Sequence, residues 1–230
     1  MMMNRPYVSI NVAASADGKT DTFERRGAAI SSVVDKARVD GLRAAADAVM
    51  VGGHTLLDED PKLTVKSAEL RAQRSAKGLP ENPMKVGIVR QANLKADGDF
   101  IGVGPARRVI FTTRQTTSAQ AQALSALGVE VYTLGEKRVD LPKVLETLTI
   151  LGVERLMVEG GGTLNFELLR LGLVDELMVY VAPLIFGGET ASTMAAGAGL
   201  ARSAAISLRL ADVQVMDDAG GVLLRYFLPK

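Results

Sequence analysis

Cysteine and tryptophan are absent from this 230-residue chain, histidine occurs once, and aromatic residues make up only 4%. Without cysteine there is no disulfide framework, no thiolate metal site and no thiol nucleophile. With His54 as the single histidine, any Ser-His-Asp triad would have to run through that residue, and no metal site is expected. Few aromatics argue against a base-stacking platform. Charge is nearly balanced, 27 basic against 26 acidic side chains for a formal net charge of +1, so no chain-wide field points to nucleic acid or to an anionic membrane. No apolar run approaches the length that spans a bilayer, and Met1-Met2-Met3-Asn4-Arg5 lacks the apolar core of a signal peptide. These exclusions leave a soluble cytoplasmic protein, one domain over 1–230 with a substantial core.

What the chain does have is a glycine turn. The apolar run Leu156-Met157-Val158 ends in Glu159-Gly160-Gly161-Gly162, and Thr163 to Leu171 then carries leucines at helical spacing until Gly172 stops it. Strand, tight turn and helix follow one another. Glycine lets the backbone approach a ligand closely, and N–H groups at a helix start face an anion well. A strict dinucleotide fingerprint needs a third glycine where Asn165 stands, and it normally opens its domain. Two readings stay open, an anion-binding turn and a plain structural one.

The remaining pattern alternates strands and helices. Strands are expected over Tyr7–Ala13, Ala48–Val51, Val86–Val89, Val109–Thr113 and Val129–Tyr132. Helices are expected from Ser31 or Ser32 to about Ala46, over Ala119–Leu127, and over Leu141–Leu151 with Pro142 in the first turn. Gly52-Gly53-His54-Thr55 is a second glycine junction at a strand end, which suits a ligand lying across the ends of an α/β sheet. Asp58-Glu59-Asp60-Pro61 reads as an acidic loop. Residues 66–84 read as a surface excursion with a short helix. Val174 to Phe186 reads as a long strand whose Pro183 suggests an edge or a bulge, and Gly187 to Gly199 as a small-residue loop. The end, through Val213-Gln214-Val215, Gly220-Gly221 and Val222–Leu228, reads as a hairpin. The fold class is α/β, a mainly parallel central sheet with an antiparallel C-terminal hairpin and helices on both faces.

Three stretches, Val8–Lys19, Asp47–Thr64 and Met157–Gly188, resemble the reductases of riboflavin biosynthesis, which share the dihydrofolate-reductase-like fold. Gly78-Leu79-Pro80-Glu81-Asn82-Pro83 and the lack of a fused deaminase resemble the stand-alone archaeal and fungal type. That resemblance implies NADPH as cofactor, reduction of 2,5-diamino-6-ribosylamino-4(3H)-pyrimidinone 5′-phosphate to its ribitylamino form, and a homodimer. It implies cofactor contacts at Gly52, Gly53, Thr55, Glu59, Gly160, Gly161, Gly162 and Thr163, with Arg90 toward the adenosine 2′-phosphate. Lys19 and Glu159 fall at positions around the reacting substrate, with Asn11, Asp60 and Lys66 as further substrate-binding candidates.

The plainer alternatives are a solvated strand-end arginine at Arg90, a turn carboxylate at Asp60 and a backbone cap at Glu159. The chemistry itself asks for alignment, phosphate binding and a proton for nitrogen. Rivals are a pterin-type or other small-molecule reductase of the same fold, and a non-catalytic nucleotide-binding module.

Overall fold

A computed structural model describes residues 4–25 and 27–229. In chain order it contains β1 (Tyr7–Ser15), α1 (Val33–Ala45), β2 (Ala48–Gly52), a π-helical turn over Thr55–Glu59, α2 (Ala68–Ala76) and β3 (Met84–Ile88). There follow α3 (Asp99–Gly102), β4 (Arg108–Thr112), α4 (Ser118–Ala126), β5 (Val129–Thr133), α5 (Leu141–Ile150) and β6 (Arg155–Val158). The last part holds α6 (Gly162–Arg170), β7 (Glu176–Ala182), a 3₁₀ turn at Arg202–Ala204, β8 (Arg209–Val215) and β9 (Val222–Phe227).

Two compact units form among the described residues, each from two chain segments: those up to Tyr7 with Asp40–Met157, and those within Val8–Val39 with those from Val158 onward. In the first the strands run in the order β5-β4-β3-β2-β6, and β2, β3, β4 and β5 pair in parallel. All five residues of β2 and of β3 are buried, as parallel strands covered on both faces require. Asp47 fixes the start of β2 against β6, its carboxylate accepting from the N–H groups of Glu154 (2.9 Å) and Arg155 (2.8 Å). Within the stretch 66–84, α2 is capped by Ser67. Its Arg74 reaches inward to the carbonyls of Ala44 and Ala46, both at 2.8 Å.

The second unit orders its strands β1-β7-β9-β8. There β1 pairs with β7 in parallel, and β9 joins β7 to β8 antiparallel. The mainly parallel arrangement with an antiparallel C-terminal pair is the one expected. The turn closes because Gly221 leaves room for a ring: a Cβ there would sit 2.2 Å from the Tyr180 hydroxyl. That hydroxyl donates to Asp217 (3.2 Å).

Three local expectations are corrected. The long strand Val174–Phe186 is only Glu176–Ala182, and β7 is an inner strand between β1 and β9; it ends before Pro183, which has no N–H to give a ladder. The acidic loop after β2 is in part a π-helical turn, Thr55–Glu59. The short helix α3 lies in a stretch where no element was expected, because its cap comes from elsewhere in the chain.

Candidate functional site

In the first unit the candidates gather at the carboxyl ends of β2 and β3. Gly52 pairs with Ile88. Gly53 follows so close to β3 that a Cβ would lie 3.3 Å from the Ile88 carbonyl and 3.6 Å from Val89. Thr55, 9% exposed, opens the π-helical turn and exposed Glu59 closes it. His54 is tied to Asp58 at 2.5 Å on the outer side of that turn.

Arg90 stands just past β3 with an exposed side chain. Its carbonyl accepts from the hydroxyls of Thr112 (3.1 Å) and Thr113 (2.7 Å), both fully buried. The backbone is thus fixed while the guanidinium faces outward. Local pattern does not single out these threonines; the Thr112-Thr113 pair where β4 ends is the one signal the sequence offers.

Asp60 is held differently. It follows the π-helical turn as its C-cap, in the left-handed region (φ 47°). Its two oxygens accept from the N–H groups of Asp99 (2.7 Å) and Phe100 (2.9 Å), so it caps α3. Gly98 must be small there, since a Cβ would meet an Asp60 oxygen at 2.6 Å. At the other end of α3 the ammonium of Lys85, a β3 residue with no exposed surface, donates to the carbonyls of Phe100 (3.0 Å) and Val103 (2.6 Å). Burial, with nearby Arg108, pushes the Lys85 pKa down to about 8, and Asp99 and Asp60 oppose the shift. Lys66 is held by a different carboxylate. Its N–H donates to Asp40 (2.6 Å), and its side chain is exposed.

The second unit holds the glycine turn. Gly160 has φ +105°, a left-handed value that only glycine adopts readily, and the Gly160–Gly161 peptide bond is cis. Helix α6 starts at Gly162 with no side-chain cap on Gly161 and no acid in its first turn. A first turn without a competing carboxylate fits an anion such as a pyrophosphate. Gly162 is constrained by the protein itself: a Cβ would lie 2.3 Å from the Thr193 carbonyl. Thr163 is exposed at the helix start, and Glu159 is half-buried just before the turn.

Lys19, half-buried, sits in a loop closed by Ser15, whose N–H donates to the Lys19 carbonyl (2.8 Å), and it forms an isolated antiparallel bridge with Thr193. Asp17 fastens that loop, accepting from the Ser15 hydroxyl (2.6 Å) and from the N–H groups of Gly187 (2.7 Å) and Phe186 (3.2 Å). The Ser15 hydroxyl, with those N–H groups, holds the Asp17 carboxyl at about 2. Asn11 is buried in β1, its carbonyl oxygen accepting from Arg38 (2.7 Å), which also binds Asp35.

The mainly parallel strands with an antiparallel C-terminal pair are those of the dihydrofolate-reductase-like fold of the RibD reductases. The chain belongs to the RibD C-terminal domain family, whose profile matches residues 6–224. It is 42% identical over 193 residues to the 2,5-diamino-6-ribosylamino-4(3H)-pyrimidinone 5′-phosphate reductase of Archaeoglobus fulgidus, covering 84% of this chain and 87% of that one. To the protein of the same name from Methanothermobacter thermautotrophicus it is 38% identical over 207 residues, covering 90% and 91%. Among solved structures, RibD of Acinetobacter baumannii superposes with a TM-score of 0.80 at 26% identity, over 98% of this chain and 58% of that longer one.

Proposed function

We propose that this chain is the NADPH-dependent reductase that converts 2,5-diamino-6-ribosylamino-4(3H)-pyrimidinone 5′-phosphate to its ribitylamino form in riboflavin biosynthesis. It works as a single reductase domain, in the cytoplasm. The observation that carries the reading is the near full-length similarity to two archaeal reductases of that name, 42% and 38% identical. The uncapped, acid-free start of α6 after a left-handed Gly160 supports the cofactor assignment.

Bound NADPH supplies the hydride. Backbone N–H groups of Gly162 and Thr163 hold the pyrophosphate at the start of α6, and Arg90 pairs with the 2′-phosphate. Gly52, Gly53, Thr55 and Glu59 are further cofactor contacts. On the substrate, the ribosylamine ring opens to an imine whose C1′ takes the hydride while its nitrogen takes a proton. Lys19 and Glu159 grip the sugar hydroxyls and deliver that proton. Lys66 meets the substrate phosphate as a point charge. Asn11 and Asp60 are further substrate contacts, held in their own units by Arg38 and by α3 respectively.

The protein acts as a homodimer. Strand β8 supports this, being an edge strand exposed at all seven positions, with Leu210, Val213 and Val215 each more than half exposed. Light scattering at micromolar concentration should give twice the 24.4 kDa chain mass; a monomer there removes the dimer claim. The deciding assay for function is NADPH oxidation with the ribosylaminopyrimidine phosphate run beside dihydrofolate. Turnover of the first alone is expected, and turnover of dihydrofolate alone overturns the assignment.

A further inference from the structure

The small-residue segment 186–196 forms no helix or strand, in keeping with the loop expected there. Its position is set by ties to three other places in the second unit. Two of its N–H groups, Phe186 and Gly187, donate to Asp17. The Thr190 carbonyl accepts from Arg25 (2.6 Å), and the Ser192 carbonyl from the N–H of Thr20 (2.8 Å). Thr193 is bridged to Lys19. From the opposite side Asn165 Nδ2 donates to the Met194 carbonyl (2.9 Å), and the N–H of Ala196 donates to the Gly162 carbonyl (3.0 Å). The strap therefore touches the Lys19 loop with one flank and the glycine turn with the other.

Asn165 is the one side chain of α6 with a described hydrogen bond to this strap. It is 2% exposed, and its amide nitrogen lies 4.0 Å from where a Cβ on Gly160 would stand. Its Oδ1 accepts no hydrogen bond among the described residues. A leucine would cover that ground without burying an amide only half used. What leucine lacks is the donor that reaches Met194.

We propose that Asn165 is a positioning residue: by holding Met194 it fixes the strap, and through Thr193 and Ser192 it sets Lys19 relative to the cofactor turn. The inference rests on the reductase reading, in which the glycine turn holds the cofactor and Lys19 serves the substrate. Asn165 touches neither ligand; it acts through the strap. Its loss lets the Lys19 loop drift while the backbone donors at the start of α6 stay in place.

The test uses the full chain with Asn165→Ala, and with Asn165→Leu, which covers the same ground, adds no charge and removes the donor, in case the first does not fold. Hydrogen–deuterium exchange at the Thr20 amide, which donates to Ser192, should quicken by about tenfold or more. The kcat should fall roughly 10- to 100-fold, as expected for a misplaced group, with NADPH affinity changed less than about threefold. In a Lys19→Ala background the same substitution should cost almost nothing further, because the two act through one placement. Unchanged exchange at Thr20, or losses in kcat that multiply, overturns the proposal. Wild-type protein that fails to turn over the pyrimidine phosphate sinks the reductase assignment instead, and the exchange result then decides the inference alone.

Discussion

Replacing Lys85 by methionine tests whether a buried ammonium braces α3 beside the Thr55–Glu59 turn of the first unit. Lys85 has no exposed surface and caps α3, whose other end is held by Asp60 directly after the Thr55–Glu59 turn. Burial lowers its pKa from the ordinary 10.5 to about 8. Below about pH 8 folded and unfolded chains both hold this proton, and the residue adds no pH dependence. Between about 8 and 10.5 the unfolded chain keeps a proton that the folded chain releases, so stability rises with pH. Above 10.5 both forms are neutral and the curve flattens. Each unit of pKa is worth ~1.4 kcal/mol, which sets a ceiling of about 3.5 kcal/mol on the whole rise. A methionine side chain has no such proton, so the difference between wild type and Lys85→Met isolates the effect from every other lysine. Urea unfolding at about pH 7 and about pH 10 should show wild type gaining ~2 kcal/mol relative to Lys85→Met. A difference that stays constant, or moves in favour of the variant, refutes the buried-ammonium account.

Arg90→Ala should weaken NADPH by roughly 10-fold or more, the scale of one charge-assisted phosphate contact, and leave NADH nearly unchanged. Equal loss for both cofactors in a titration would remove Arg90 as the 2′-phosphate partner. Glu159→Gln keeps the shape and removes the charge; kcat should drop roughly 10²-fold while NADPH affinity and Tm barely move. Near-normal turnover with a much lower Tm would make Glu159 a structural cap. Gly162→Ala puts a Cβ 2.3 Å from the Thr193 carbonyl, a backbone atom that cannot swing aside. It should cost ~1–3 kcal/mol in urea unfolding and raise the KM for NADPH; a stabilised variant would mean the strap yields freely.

The glycine turn was legible as strand, turn and helix because its signals are local. An apolar run, three glycines and leucines at helical spacing all lie between Leu156 and Leu171. The hairpin at Gly220-Gly221 and most strand cores were legible for the same reason, since alternation and turn chemistry act over a few residues. Local pattern could not tell that Pro183 ends an inner strand rather than marking an edge, because strand order is a property of the whole chain.

The roles of individual polar residues were decided by tertiary structure. Asp60 reads in the sequence as a turn carboxylate or a substrate-binding candidate, and no local pattern shows that it also caps a helix whose N–H groups lie 39 and 40 positions further on. Asn165 registered only as the missing third glycine of a fingerprint, yet its partner Met194 is 29 residues away. Lys85 gave no sign that it would be sealed inside a strand. A hydrogen-bonding side chain carries its donors and acceptors in its own formula, but the partner depends on where the backbone brings distant segments, and hydrophobic burial of the strands, not the polar residues themselves, fixes that path.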